Sequence, residues 1–351
     1  MDFKNYLREQ GELHPAMEPQ DAVKMIYQAA FGAEHLLADM DAARRYLAEE
    51  LENTPEATDI PLFEYISEDM CRVNLGAWKG AGLPAEWLFQ IFAATAGHAG
   101  GSNEVFFKYL QEADEEVKRG GLGFSYEDWT AFKEEYLNGG VRALHHSSAY
   151  REKEKPAYRL AARRFSRLAP VLRKAASLGT GDRPSVIAID GRAASGKTTM
   201  AGQLAQILGG AIVRMDDFFL PPELRTPERF EKPGSNVHYE RFCEEVLPYL
   251  RAEEGFAYRR FDCSEMDYDK EPVKVEPSQW VIVEGSYSHH PELGQYADLK
   301  VFSDVDPQIQ MERIIVRNGA EMAEMFASRW IPMEEEYFSK FDIAHKADLK
   351  V

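Results

Sequence analysis

From Asp21 to about Ala176, apolar residues recur at three- and four-residue spacing with acids and bases between them, the pattern of helices that each bury one face. The segments DAVKMIYQAAFGAEHLL and DAARRYLAEEL carry it most plainly, and the same spacing predicts helices over 85–96, 103–119, 126–137 and 156–176. Glycine pairs at 100–101, 120–121 and 139–140 supply the stops. No strand pattern interrupts this stretch, so residues 1–176 read as an all-α domain. The Gly/Pro-containing run from Ser177 to Pro184 reads as a linker. Beyond it the texture changes. Short apolar runs, SVIAID, AIVRM, QWVIVEG, DLKVFSDV and ADLKV, alternate with helical segments, which predicts a parallel α/β sheet flanked by helices over residues 185–351. ADLKV occurs at both 297–301 and 347–351, but the flanks differ, so the pair reads as two similar buried strands rather than a repeat.

Bulk properties narrow the partners. The chain has 351 residues, enough for two cores, and its net charge of −18 comes from 59 acidic against 41 basic residues. That excess argues against nucleic-acid or anionic-membrane surfaces, which need basic residues. Small molecules or proteins are the expected partners, and self-association stays open. Cys71, Cys243 and Cys263 are odd in number and far apart, which suits a reducing cytoplasm better than a disulfide framework or a zinc knuckle. The polar start MDFKNYLREQ lacks an apolar signal core, and no stretch reaches the roughly 20 apolar residues that cross a bilayer.

One motif carries chemistry on its own. Gly191-Arg192-Ala193-Ala194-Ser195-Gly196-Lys197-Thr198 is a complete G-x-x-x-x-G-K-[ST] loop after a β-branched run and before the amphipathic TMAGQLAQIL. Glycines let the backbone wrap so that N–H groups face phosphate oxygens; Lys197 reaches the outer phosphates, and the Thr198 hydroxyl is placed to ligate Mg²⁺. Gly191, Ala193, Ala194, Ser195, Gly196, Lys197, Thr198 and Thr199 are therefore the expected nucleotide-binding residues. Such a loop fits ATPases, GTPases and kinases alike, so acids further on must decide. Asp216 and Asp217 follow the second predicted strand directly, and Glu284 ends the third. Acids at strand ends near bound phosphates can hold Mg²⁺ or accept a proton from an attacking hydroxyl. No N-K-x-D guanine-reading motif is present.

Residues 184–351 resemble the uridine kinase, phosphoribulokinase and bacterial pantothenate kinase family of P-loop kinases. The likeness rests on the phosphate loop, on DDFF after the second strand, on VEG, and on ADLKVFSDVDPQIQMERIIVRNG, which is similar to that family's strand and arginine-bearing lid helix. It implies ATP and Mg²⁺ as cofactors and a small hydroxyl-bearing acceptor. Lys197 and Thr198 would serve phosphates and metal, Asp216 would be general base and metal-shell ligand, and Glu284 the other carboxylate near Mg²⁺. Arg313 and Arg317 fall on the lid helix, where the family neutralises the transferring group. Asp217, His238, Tyr239, Arg260, Asp262 and Arg329 are the candidate acceptor-side residues. Uridine kinases carry an asparagine-aromatic-aspartate segment where this chain reads Asn236-Val237-His238-Tyr239-Glu240, and a base-contacting histidine that is lacking after Asp262. Losing hydrogen-bonding groups that read a nucleobase argues for another acceptor. A nucleotide-responsive regulatory protein with little turnover is the alternative, but a full set of Thr198, Asp216 and Glu284 favours turnover.

In the helical half, His14, Glu34-His35, Arg72, Asn74 and His145-His146 sit in apolar settings. Two readings stay open for them: the lining of a second pocket, or hydrogen-bonded helix ends and interdomain contacts. No H-E-x-x-H or comparable ligand spacing occurs.

Overall fold

The computed structural model describes residues 3–32, 39–97, 101–179 and 181–351. The chain divides into two compact units, Met1–Ala169 and Pro170–Val351. That division falls ahead of the 177–184 segment read as a linker, at the head of a helix Ala169–Leu178. Glu34 and His35 lie outside the described residues.

The first unit is mostly helical. Helices Pro19–Phe31, Met40–Asn53, Ala85–Ala96, Asn103–Lys118 and Tyr126–Asn138 follow the periodicity of the sequence, and a further helix, Phe3–Leu13, precedes the stretch in which it is read. Side-chain caps start three of them: Asp39, Ser102 and Ser125 each accept from a backbone N–H of the first turn. The all-α expectation is corrected by three strands, β1 (Phe63–Tyr65), β2 (Met70–Asn74) and β3 (Tyr158–Ala162), in an antiparallel sheet of order β1-β2-β3. Two causes hid them. β2 is buried along most of its length, so it shows no alternation, and Arg72 interrupts its apolar run. Of the segment 156–176, predicted helical, the end from Ala169 is helix, but Tyr158–Ala162 pairs instead with β2, Cys71 opposite Ala161. Pairing and burial outweigh local propensity there.

A polar chain runs through this unit's interior. His146 is buried, its Nδ1 2.7 Å from Asp21 Oδ1 and its Nε2 2.7 Å from the Tyr158 hydroxyl. Burial pushes the imidazole down to about 4 from its ordinary 6.5, against the raising effect of the Asp21 hydrogen bond. The unfolded chain would bind that proton first, so stability falls as pH drops from about 6.5 to about 4. The whole effect is on the order of 3 kcal/mol. A thermal midpoint followed against pH should fall through that window, and His146→Gln should flatten the slope. An unchanged slope in the variant would sink the assignment.

The second unit is built on a sheet of five strands, β4 (Ser185–Gly191), β5 (Ala211–Arg214), β10 (Trp280–Glu284), β11 (Leu299–Ser303) and β12 (Leu349–Lys350). All run parallel, in the order β12-β11-β4-β10-β5, with β4 central. Short antiparallel pairs fill the stretch between β5 and β10: β6 (Phe256–Tyr258) with β9 (Val273–Val275), and β7 (Phe261–Asp262) with β8 (Asp267–Tyr268). Of the two ADLKV segments, the first forms a buried strand. The second is the sheet edge, with Leu349 half-buried and Lys350 exposed, so it is not the buried strand expected. β4 and β10 read as continuous apolar runs because helices cover such a sheet on its faces. No helix among the described residues is long and apolar enough to cross a membrane.

Candidate active site

β4 ends at Gly191, and the chain turns at once into the loop that starts helix Lys197–Leu208. Gly191 has φ +139°, and a Cβ there would stand 2.0 Å from the Ser303 carbonyl oxygen. Only glycine lets β4 and β11 stay paired at this point. Gly196 has φ +101° and caps the helix without a side chain. The first-turn N–H groups of Lys197, Thr198 and Thr199 therefore have no intrahelical acceptor and sit at the positive end of the helix dipole. That is the general form of an anion site. Lys197 is buried, and its Nζ donates to the carbonyls of Gly191 (2.8 Å) and Arg192 (2.9 Å), holding the loop in shape.

Three carboxylates face this loop from the carboxyl ends of β5 and β10. Asp216 lies in a 3₁₀ turn, Met215–Phe218, directly after β5. Its side chain opens to a cavity of about 600 Å³ and makes no side-chain hydrogen bond among the described residues. The protein mass around it raises its pKa, while Lys197, Arg317 and Arg214 pull the other way. Glu284, the last residue of β10, is buried on the same cavity and accepts from the Thr198 hydroxyl at 3.3 Å. Burial first, then the neighbouring Asp216 charge, raise its pKa. Two like charges share one small space here, so a cation is the natural complement. Asp217 differs. It is buried, accepts from the Tyr258 hydroxyl at 2.7 Å, and lies 3.8 Å from Arg260 Nε.

The cavity gathers Thr198, Asp216, Asp217, Arg260, Asp262 and Glu284, with Phe219, Phe261 and Val273 as apolar wall. It does not gather His238, Tyr239 or Arg329. His238 starts helix Tyr239–Glu245 and is half-buried; Tyr239 stacks on His290 at 5.0 Å between ring centres; Arg329 lies over Phe230 and Trp330. Helix Pro307–Asn318 bears the two arginines. Arg313 donates to the Ala194 carbonyl at 3.1 Å, and Arg317 acts electrostatically on Asp216.

Residues not anticipated from the sequence support the loop from behind. Asp190 is buried at the end of β4 and accepts from the backbone N–H of Gly191, Tyr287 and His289 and from the Tyr337 hydroxyl. Glu334 is buried and accepts from the Ala193 N–H at 2.9 Å and the Ser286 hydroxyl at 2.7 Å. Ala193, expected among the nucleotide-binding residues, thus donates to a side chain of the protein itself. Burial raises the Glu334 pKa against the pull of Lys197. Glu334→Ala would leave the buried Ala193 N–H and the half-buried Ser286 hydroxyl without their acceptor and should cost about 1–3 kcal/mol, whereas Glu334→Gln keeps an acceptor and should cost far less. Equal losses of thermal midpoint in the two variants would show that packing, not the hydrogen bonds, sets the effect. The signal existed in the sequence. Glu334, Tyr337 and Phe338 stand at i, i+3 and i+4 of one helix, Ile331–Phe341, and all three are buried.

No family model matches the chain. Over 173 residues it is 29% identical to a uridine kinase of Geobacillus kaustophilus, a match covering 45% of this chain and 77% of that relative. It is 27% identical over 154 residues to a uridine kinase of Limosilactobacillus reuteri, covering 41% and 70% respectively. The solved structure of a possible uridine kinase from Bacillus stearothermophilus covers 53% of this chain and 97% of its own, at 21% identity and a TM-score of 0.41. The chain carries a P-loop kinase segment. Within that class the segment is uridine kinase-like.

Proposed function

We propose that the second unit transfers the γ-phosphoryl group of ATP to a hydroxyl of a nucleoside, sugar or related small metabolite. The observation that carries the proposal is that Asp216 opens into the cavity shared by Thr198 and Glu284, at the end of the sheet where the phosphate loop begins. In this reading the helix N-terminus and Lys197 hold the phosphates, and the acceptor lies in the cavity against Phe219, Phe261 and Val273. Asp216 takes the proton of its hydroxyl as the oxygen attacks in line. In this reading Arg313, bonded to the Ala194 carbonyl, and Arg317, which acts electrostatically on Asp216, neutralise the moving charge.

Mg²⁺ fits the donor set. Thr198, Asp216 and Glu284 are hard oxygen donors, and this ion commonly takes one or two carboxylates beside phosphate oxygens and water. Among the described residues no three His, Cys, Asp or Glu side chains form a metal cluster. Bound there, Mg²⁺ would neutralise charge between the phosphates.

Arg260 and Asp262 give the acceptor side its polar groups, and Arg260 is already drawn toward Asp217, Asp262 and Asp269. The experiment is ATP consumption by the full chain against nucleosides including uridine, pantothenate, phosphorylated sugars and sugar alcohols. At least one acceptor should raise ADP formation well above the acceptor-free rate. If none does while ATP binds, the reading returns to a nucleotide-binding regulatory protein.

A further inference from the structure

A second cavity, of about 880 Å³, lies wholly within the first unit between helix Pro19–Phe31, helix Met40–Asn53 and β3. We propose that it binds a small organic anion, one carboxylate or phosphate group on an apolar body. Four basic side chains line it, Lys24, Arg151, Lys155 and Arg159, against two acidic ones, Asp39 and Glu50. Both acids are already engaged. Glu50 is ion-paired with Arg159, and Asp39 accepts from the Ala42 N–H at 3.0 Å as the cap of its helix. Among the described residues, the Lys24 ammonium donates to the Leu144 carbonyl, at 3.3 Å.

The charge behind the wall points the same way. Arg72 is 2% exposed, and its guanidinium donates to the side-chain oxygens of Gln10 (3.4 Å) and Gln28 (3.0 Å) and lies 4.3 Å over the Tyr158 ring. Its nearest carboxylate, Glu64, is 3.7 Å away, and its Nε has no partner among the described residues. Asp21 is buried and already engaged by the Ser147 N–H and hydroxyl and by His146. Burial and then the Arg72 charge press the Lys24 ammonium down to about 8, against the smaller raising effect of Asp21. An anion against Lys24 would supply a counter-charge through a charge-assisted bond in a partly desolvated setting.

The rest of the lining suits an organic body. Phe92 and Leu160 are buried apolar floor, and Tyr46 stands exposed at the rim. Gln28 and Tyr158 are fixed: Tyr158 Oη lies 3.1 Å from Gln28 Oε1 and 2.7 Å from His146 Nε2. Groups locked by such bonds lose little freedom when a ligand arrives.

The test is calorimetric titration of the full chain carrying Lys197→Ala, which weakens anion binding at the phosphate loop. The probes are phenyl phosphate, benzoate and inorganic phosphate, with benzyl alcohol as the neutral control. Phenyl phosphate or benzoate should bind at one equivalent, more tightly than benzyl alcohol, and adding Lys24→Met should weaken it by about tenfold or more, a loss of about 1.4 kcal/mol. Which of the two binds better identifies the head group, and either preference supports the proposal. If Lys24→Met does not fold, Arg151→Gln at the exposed end of helix Ser148–Glu154 takes its place, with an expected loss of about threefold. Absence of binding by both aromatic anions at about 10 mM, or binding that neither variant changes, overturns it.

Discussion

Asp216→Asn should lower acceptor-dependent ADP formation by about 10²- to 10⁴-fold, the usual contribution of a positioned general base, while ATP still binds. The substitution keeps size and shape and removes the carboxylate's charge and its capacity to take a proton. Asp216 makes no side-chain hydrogen bond among the described residues, so little native structure depends on its charge. The neighbouring acid provides the contrast. Asp217 is fixed by the Tyr258 hydroxyl and by Arg260, and Asn can still accept from Tyr258. Asp217→Asn should therefore change the rate by less than about tenfold and act instead on the set of the cavity wall. Initial rates at saturating ATP, with nucleotide affinity measured separately, distinguish the two. A full rate in Asp216→Asn would end its assignment as base. A collapse confined to Asp217→Asn would move the role one residue along.

That contrast also marks how far sequence reading goes. The phosphate loop is legible because its chemistry is local: glycine spacing, Lys197 and Thr198 act within one turn of chain. Asp216 and Glu284 are legible through the sheet, since a parallel strand that ends in an acid delivers it to one edge whatever the rest of the fold does. His238, Tyr239 and Arg329 are another matter. Their surroundings come from residues far along the chain, His290 for Tyr239 and Phe230 for Arg329, and nothing in their own neighbourhood encodes that. Both Asp216 and Asp217 line the cavity, and that Asp217 is the one tied down depends on Tyr258, which arrives on β6. In the first unit the buried arginine of β2 hid a strand, because a guanidinium held by Gln10, Gln28 and an aromatic face does not look like core in a one-dimensional pattern. The polar residues singled out there divide accordingly. Among the described residues, Asn74 is a helix cap for Ala77, His14 pairs with Glu154, His145 lines the second cavity, and Arg72 and His146 belong to the buried chain beside it.

Gly191→Ala should remove nucleotide binding and destabilise the second unit together. Two costs add. A Cβ at this position meets the Ser303 oxygen at 2.0 Å and its carbonyl carbon and nitrogen at 2.7 Å, all backbone atoms that cannot rotate away. The φ of +139° is also one that alanine rarely adopts. Strain and overpacking are each worth about 1–3 kcal/mol, so the sum is a large fraction of a domain's stability. Relief would require β4 and β11 to separate where Gly191 pairs with Ser303, and the Gly191 carbonyl that anchors Lys197 Nζ would move with them. The phosphate loop would lose its shape even in molecules that stay folded. Gly202→Ala is the matched control. Gly202 lies exposed in helix Lys197–Leu208, where an added methyl would meet nothing within 4 Å and φ is not positive. There alanine should stabilise by about 1 kcal/mol and leave ATP affinity alone. Thermal midpoints and ATP titrations on both variants decide the matter. If Gly191→Ala melts like the parent and binds ATP, then the strands part freely at that point and the loop's geometry does not depend on their contact.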